Sequence, residues 1–278
     1  MVEKPGQGYI QPGKIFGNLY FVGTYAASIH LIDTSDGLIA IDAGYPETLY
    51  LVIHNIHELG FSPKDIKIIL LSHGHYDHMG AARMLASLSG AKIYLGRPDL
   101  CMVNGETEDI DFALIGACNG VYTGKHVADH IRFTPDVLLD DGDTVTLGNT
   151  SIRCVSTPGH TAGTLSFFFP VTDGETTYLA GMHGGAGTNT MTDEFLAQYH
   201  LPVTVRDDFR AGLLRVIDEP VDIFVGNHSW NNDTKGKLAA MRRGEPNRFV
   251  DTTHAQWRAF IEERLSALDG KIAQSKHK

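Results

Sequence analysis

Four side chains able to hold a metal ion fall within six residues in His73-Gly74-His75-Tyr76-Asp77-His78. Neutral imidazoles and carboxylates are the ligands of catalytic zinc sites, which keep one coordination position open for water. The alternating His73 and His75 can point to one side of an extended loop, while Asp77 and His78 turn toward a neighbouring point, so one loop can serve two metals. Gly74 is expected to give that loop a tight path, because glycine tolerates backbone angles that other residues avoid. Two more histidines follow turn residues farther on: His160 in Thr157-Pro158-Gly159-His160-Thr161-Ala162-Gly163, and His228 in Val225-Gly226-Asn227-His228. A lone histidine in a turn is ordinarily a solvated or capping residue. Beside a packed H-x-H-x-D-H, both gain weight as ligands. His54 and His57 fall on an expected helix, and His126, His130 and His200 lack paired spacing, so these five are given no metal role.

The elements that must position these residues are readable from periodicity. Residues 66–71, IKIILL, form an apolar run suited to a strand buried on both faces. The ligand cluster then follows the strand's carboxyl end, where α/β sheets place their chemistry. His160 follows an expected strand at 151–156, and His228 one at 221–225. Upstream, residues 17–23, 27–33 and 38–42 read as short strands, and 46–59 as an amphipathic helix that Gly60 stops. Residues 80–88 give a second helix and 92–95 another strand; 97–133 read as short helices and loops. Strands at 137–139, 144–147, 164–169 and 177–180 make a second group, punctuated by Asp141-Gly142, Gly148-Asn149 and Asp173-Gly174. A long irregular stretch, 184–202, precedes helices at 206–217 and 253–268; the last carries Trp257, Phe260, Ile261, Leu265 and Leu268 as a stripe. Two groups of strands, each flanked by helices, predict an α/β four-layer αββα sandwich. It forms a single domain over residues 15–269, after a lead-in at 1–14 and before a polar tail at 270–278 that is expected to fray.

Composition narrows the function. The chain has 278 residues, 42% of them hydrophobic, enough for a substantial core. A formal net charge of −10, with no Lys/Arg cluster, argues against nonspecific nucleic-acid binding and favours a small-molecule substrate. Cys101, Cys118 and Cys154 are an odd, widely spaced set without CxxC, so neither a disulfide framework nor a thiolate zinc site is expected. No run approaches the roughly 18 apolar residues of a membrane span, so no membrane partner is expected. The opening MVEKPGQGYIQPG has no basic flank followed by an apolar core. That predicts a cytoplasmic protein if the chain is full length, and a periplasmic or secreted one if a signal peptide has been removed. Nothing in the pattern speaks to oligomeric state.

HGHYDH, with TPGHTAG downstream and GNH farther on, resembles the metallo-β-lactamase superfamily of metal-dependent hydrolases. The likeness extends to LIDTSDGLIAIDAG, NIHELGFSPKDIKIILLSH and NRFVDTTHAQWRAFIEERL, and is strongest to subclass B3 of the true β-lactamases. The resemblance implies two zinc ions, with iron or manganese compatible alternatives. It implies a first zinc on His73, His75 and His160, a second on Asp77, His78 and His228, and a hydroxide between them. Asp77 is then the catalytic residue, orienting the hydroxide and accepting its proton, and Asp42 supports the metal loop from behind. The implied activity is hydrolysis of a cyclic amide or ester of the β-lactam or lactone class. An iron-dependent oxidoreductase or a non-catalytic metal-binding relic on the same scaffold are the alternatives.

The chain departs from the family pattern at Ala180-Gly181-Met182-His183. Most hydrolases of the superfamily carry a metal-bridging Asp there and subclass B3 a serine, whereas a thioether such as that of Met182 is a poor zinc ligand. His183 becomes a candidate to reach the metals or the substrate. Tyr76, Tyr122, Asn189 and Tyr199, in or beside the metal loop and the two irregular stretches, are candidate pocket residues.

Overall fold

The computed structural model describes residues 8–104 and 131–275; Tyr122, Cys118, His126 and His130 lie outside the described residues. Four short strands, β1 (Gly13–Phe16), β2 (Leu19–Phe21), β3 (His30–Asp33) and β4 (Leu38–Ile41), form an antiparallel meander. The helix α1 (Leu49–Glu58) then crosses to β5 (Ile66–Leu70), and α2 (Tyr76–Met79) with α3 (Ala82–Ser89) crosses to β6 (Lys92–Gly96). Both crossovers return the chain parallel to the preceding strand, as a helical connection allows and a tight hairpin does not. After α4 (Leu100–Asn104), β7 (Val137–Leu139) adds to the same edge. Among the described residues the first sheet therefore runs β1-β2-β3-β4-β5-β6-β7.

The second sheet is built from β8 (Thr144–Leu147), β9 (Thr150–Ser156), β10 (Leu165–Thr172) and β11 (Thr177–Met182), each antiparallel to the last. After α5 (Asp193–Gln198) and α6 (Val205–Val216), the short β12 (Ile223–Phe224) joins β11 in parallel. The helices α7 (Thr234–Arg242) and α8 (Ala255–Ser275) complete the described chain.

Alternation along the strands sorts the apolar side chains into three layers. Ile39, Ile41 and Leu70 of the first sheet meet Phe167, Phe169 and Val171 of the second in the central layer. Their sequence neighbours Leu38, Ala40 and Ile69 pack outward with Val52, Ile56 and Leu85 of the helices. On the far side Phe168 and Val155 pack with Phe209, Leu213, Trp257 and Ile261. Three apolar layers between two sheets and two helical faces make the expected four-layer αββα sandwich. Among the described residues no helix is long and apolar enough to cross a membrane.

Several elements differ from the sequence reading. Residues expected as a lead-in already contribute: Ile10 is buried in the central layer and Gly13 begins β1. The tail does not fray at residue 270. Helix α8 continues to Ser275, and Ile272 packs against the outer layer, which compensates for Gly270 in its interior. Helix α7 has no apolar stripe long enough to register as periodicity; of its buried residues Thr234, Lys237, Leu238 and Ala240 only the last two are apolar, and Asp233 caps it by accepting from Gly236 N.

Trp257 fixes α8 to the sheet. Its ring meets Phe168 and Phe224 edge-on, and its indole nitrogen donates to Val216 O (2.7 Å). Trp257→Ala is expected to cost about 3–5 kcal/mol, from a cavity and an unpaired carbonyl. Urea unfolding measures it, and a loss under about 1 kcal/mol would show that α8 is not anchored there.

Candidate metal centre

Four strand ends converge at one edge of the sandwich. After β4 the chain turns at Asp42, which has φ 63°, a left-handed conformation that Asp adopts more readily than most residues. Its buried carboxylate accepts from Ser72 N (2.7 Å), Ser72 Oγ (2.9 Å) and His78 Nδ1 (2.7 Å). The loop after β5 is thus clamped at both ends by one side chain. Leu165 N, at the start of β10, donates to Ser72 O (2.9 Å) and ties this loop to the second sheet.

The clamp also sets tautomers. Ser72 Oγ donates to Asp42, so it accepts from His73 Nδ1 (3.1 Å), which leaves His73 Nε2 bare. His160 Nδ1 donates to Gly187 O (3.0 Å), leaving its Nε2 bare as well. His75 Nδ1 lies 3.1 Å from His73 Nε2 and 3.0 Å from His160 Nε2. Nitrogens bound at about 2.0–2.1 Å around a tetrahedral zinc lie roughly 3.3 Å apart, close to these separations. Burial, with the neighbouring imidazoles adding to it, holds His73 well below its ordinary pKa. Burial likewise depresses His160 and lowers His75 to about 4. Three neutral imidazoles with their ring nitrogens gathered at one point could hold a metal cation between them.

A second set adjoins the first. Asp77, His78 and His73 place ligand atoms within 4.8 Å of one another, as do His73, His75 and His160. His78 Nε2 is buried and lacks a hydrogen-bond partner, although Asp77 Oδ2 is 3.3 Å away. Burial opposes a charge on His78, but the Asp77 and Asp42 carboxylates outweigh it and raise the group to about 10. Burial would raise Asp77 too, yet the charge of His78 holds it well below the usual carboxylate range. Positive charge is therefore favoured between these side chains, whether carried by protons or by a metal. His228 stands at the margin of this set. Its Nε2 is 3.8 Å from Asp77 Oδ2, and its Nδ1 donates to Ala26 O (2.5 Å).

Sequence reasoning passed over Asp99. It is buried and accepts from Gly74 N (2.8 Å), Thr161 Oγ1 (2.7 Å) and Gly163 N (2.6 Å), joining the metal loop to the loop that carries His160. This explains Gly163, where a Cβ would fall 2.6 Å from the Asp99 carboxyl carbon. It also corrects the reason for Gly74, whose φ is not in the left-handed range: a Cβ there would crowd Met102 and Asp99 at 3.1–3.3 Å. Nothing in GRPDL distinguishes Asp99 from an ordinary helix-start acid.

Other expected residues go elsewhere. Met182 is fully buried in the layer between the sheets, where its thioether packs among apolar side chains. His183 is buried, outside both sets; its Nδ1 accepts from Gly185 N (3.3 Å), its Nε2 has no partner, and burial lowers it to about 3. Tyr76 packs in the helix-facing layer and donates to Glu47 Oε1 (2.9 Å), because α2 turns its ring away from the loop. Asn189 is exposed beside Gly187, the residue that accepts from His160. Tyr199 ends α5, where it contacts Phe195 and accepts from Gln198.

Residues 22–174 match the metallo-β-lactamase superfamily domain. The chain belongs to the metallo-β-lactamase superfamily. Among solved structures it is similar to BJP-1, a subclass B3 metallo-β-lactamase of Bradyrhizobium japonicum. The TM-score is 0.83 at 26% identity, over 97% of this chain and 96% of that one. Similarity to the FEZ-1 metallo-β-lactamase of Legionella gormanii gives 0.83 at 27% identity, over 99% and 100% of the two chains. A probable polyketide biosynthesis zinc-dependent hydrolase of Bacillus subtilis, PksB, is 27% identical over 42% of this chain and 41% of its own length. The chain spans about half the length of the curated relatives it matches, reaching 59% of YobT from the same organism. The chain thus carries the domain of a metallo-hydrolase superfamily and, among its described residues, a histidine-rich cluster that could hold a metal ion.

Two measurements probe the supports. Asp99→Ala strands three donors and is expected to lower metal affinity about 10–100-fold, read by competition with a chromophoric chelator; wild-type affinity would deny Asp99 its role. His30, buried in β3, donates from Nε2 to Gly226 O (3.1 Å), ahead of His228. Burial lowers His30 to about 4, from its ordinary value of 6.5. The unfolded chain then binds more protons below pH 6.5, so this contribution is full above 6.5 and drains as pH falls toward 4. Between pH 7 and 5 the wild type is expected to lose about 2 kcal/mol more stability than His30→Gln, which keeps the donor and does not titrate. Parallel pH dependences in urea unfolding would contradict this.

Proposed function

We propose that this chain is a dizinc hydrolase that opens a cyclic amide or ester, with β-lactams as the first substrate class and lactones as the second. The observation that carries the reading is the convergence of bare, buried imidazole nitrogens with the Asp77 carboxylate at the meeting point of four strand ends. His73, His75 and His160 would hold the first zinc; Asp77, His78 and His228 would hold the second. Zinc, when bound, supplies a water acidic enough to ionise near neutral pH and a Lewis acid for the carbonyl.

The chain's own residues do the rest. Asp77, kept ionised by its neighbour His78, orients the attacking water and takes its proton at Oδ2. Asp42 holds His78 in the tautomer that presents Nε2. Ser72 is not a competing nucleophile, because its proton goes to Asp42 and its oxygen accepts from His73. The amide or ester carbon is attacked by water, the ring bond to nitrogen or oxygen breaks, and the proton moves through Asp77 to the leaving atom. The β-lactam assignment draws support from the near full-length likeness to two enzymes named as β-lactamases.

The zinc-reconstituted protein is expected to hold about two zinc ions per chain and to open β-lactams or lactones in a hydrolysis screen that also includes thioesters and phosphoesters. His160→Ala is expected to lose zinc and to lower turnover about a hundredfold or more. Elemental analysis and rates measured on the same sample decide it. Wild-type zinc content and turnover in that variant would remove the assignment.

A further inference from the structure

Single exposed apolar side chains need no explanation, but a joined pair beside a reactive centre does. Trp230 is 52% exposed and Tyr25 45% exposed, and their ring centroids lie 5.5 Å apart at 52°. Trp230 also lies flat on the His228 imidazole, with centroids 4.4 Å apart and planes 6° from parallel. We propose that Tyr25 and Trp230 form an aromatic subsite beside His228, which receives a planar apolar substituent of the substrate. The proposal rests on the zinc-hydrolase reading and adds a specificity element to it.

The two rings are held in place. Ser229 Oγ donates to Tyr25 O (2.7 Å), His228 Nδ1 to Ala26 O (2.5 Å), and Ser28 N to Asn227 O (3.0 Å). Residues 25–28, between β2 and β3, are thereby laced to 227–230 after β12, so both rings keep a fixed register with His228. The far end of that imidazole is 3.8 Å from Asp77 Oδ2. The indole thus sits one stacked ring away from the ligand cluster. A support for His228 needs only one face of Trp230. The remaining exposed surface, with the Tyr25 ring 5.5 Å away, is the kind of rigid aromatic surface that binding sites use, large in contact area and low in entropy cost.

The test uses the zinc-loaded protein and two thiols that bind zinc through sulfur, phenylmethanethiol and ethanethiol, measured by calorimetry. The wild type is expected to prefer the aryl thiol. Trp230→Ala should lower that preference about tenfold, Tyr25→Ala by a smaller factor, and Trp230→Phe should largely restore it. Aryl-bearing and methyl-bearing β-lactams should show the same shift in the ratio of their KM values. Equal weakening toward both thiols in Trp230→Ala, or an unchanged preference, would overturn the subsite and leave Trp230 only as a prop for His228. If Trp230→Ala lost zinc, the Tyr25→Ala and Trp230→Phe ratios would decide the same question. Thiol binding does not depend on which carbonyl compound is hydrolysed, so a failed β-lactam screen and a failed subsite give distinguishable results.

Discussion

One buried carboxylate, that of Asp42, grips the loop after β5 at Ser72 and again at His78. Without that grip the loop would have no reason to turn back on itself, since its sequence holds three imidazoles and a carboxylate that water would solvate better than each other. Asp42 adopts an unusual positive φ to do this, a local strain on the order of 1 kcal/mol or more. Its three hydrogen bonds, one to a backbone amide and two to side chains, outweigh that strain. The consequence passes directly to chemistry. With Asp42 on Nδ1 of His78, and Ser72 between Asp42 and His73, both imidazoles can present only Nε2 to the centre.

The centre also depends on joining two sheets. Leu165 N reaches Ser72 O across the sandwich, and Asp99 takes donors from the metal loop and from the loop after β9. His160 and His73 belong to different sheets, so their mutual distance is set by these links and by the apolar layer between the sheets. Phe167, Phe169 and Met182 in that layer act as the spacer. This accounts for the buried position of Met182: on β11 it is opposite Phe167, and alternation sends its side chain inward to the core.

Much of this was legible in the sequence, for identifiable reasons. HGHYDH is a local pattern, and the apolar run before it suits a buried strand, so the loop and its place at a strand end could be read together. The two-group strand pattern likewise showed through, because alternation and turn residues are local signals. What stayed hidden depends on long-range geometry. Asp99 acts 25 and 64 residues away from its glycine partners. Trp230 matters because of Tyr25, which the fold brings from the other end of the chain. Tyr76 looked like a pocket residue because it lies inside the motif, but a single turn of helix rotates it onto Glu47. Helix α7 escaped because its stability comes from a cap and a few buried side chains, not from a periodic stripe.

The supports and the ligands together make a site that cannot relax. In a flexible loop, the lone pairs of His73, His75 and His160 would drift apart to avoid one another. Here each ring but one is held from behind, by Ser72, by Gly187 O, by Asp42 or by Ala26 O. Gly185 and Gly187 bring backbone so close to His160 that a Cβ at either would fall within about 3 Å of the ring. The exception is His75, whose Nδ1 faces both His73 and His160. The folded chain therefore maintains an unfavourable crowd of donors in advance of the cation that makes it favourable. That is the form preorganisation takes in a metal centre: the cost of assembling ligands is met by the folding of two sheets, and the metal's binding energy adds to the stability of the same fold.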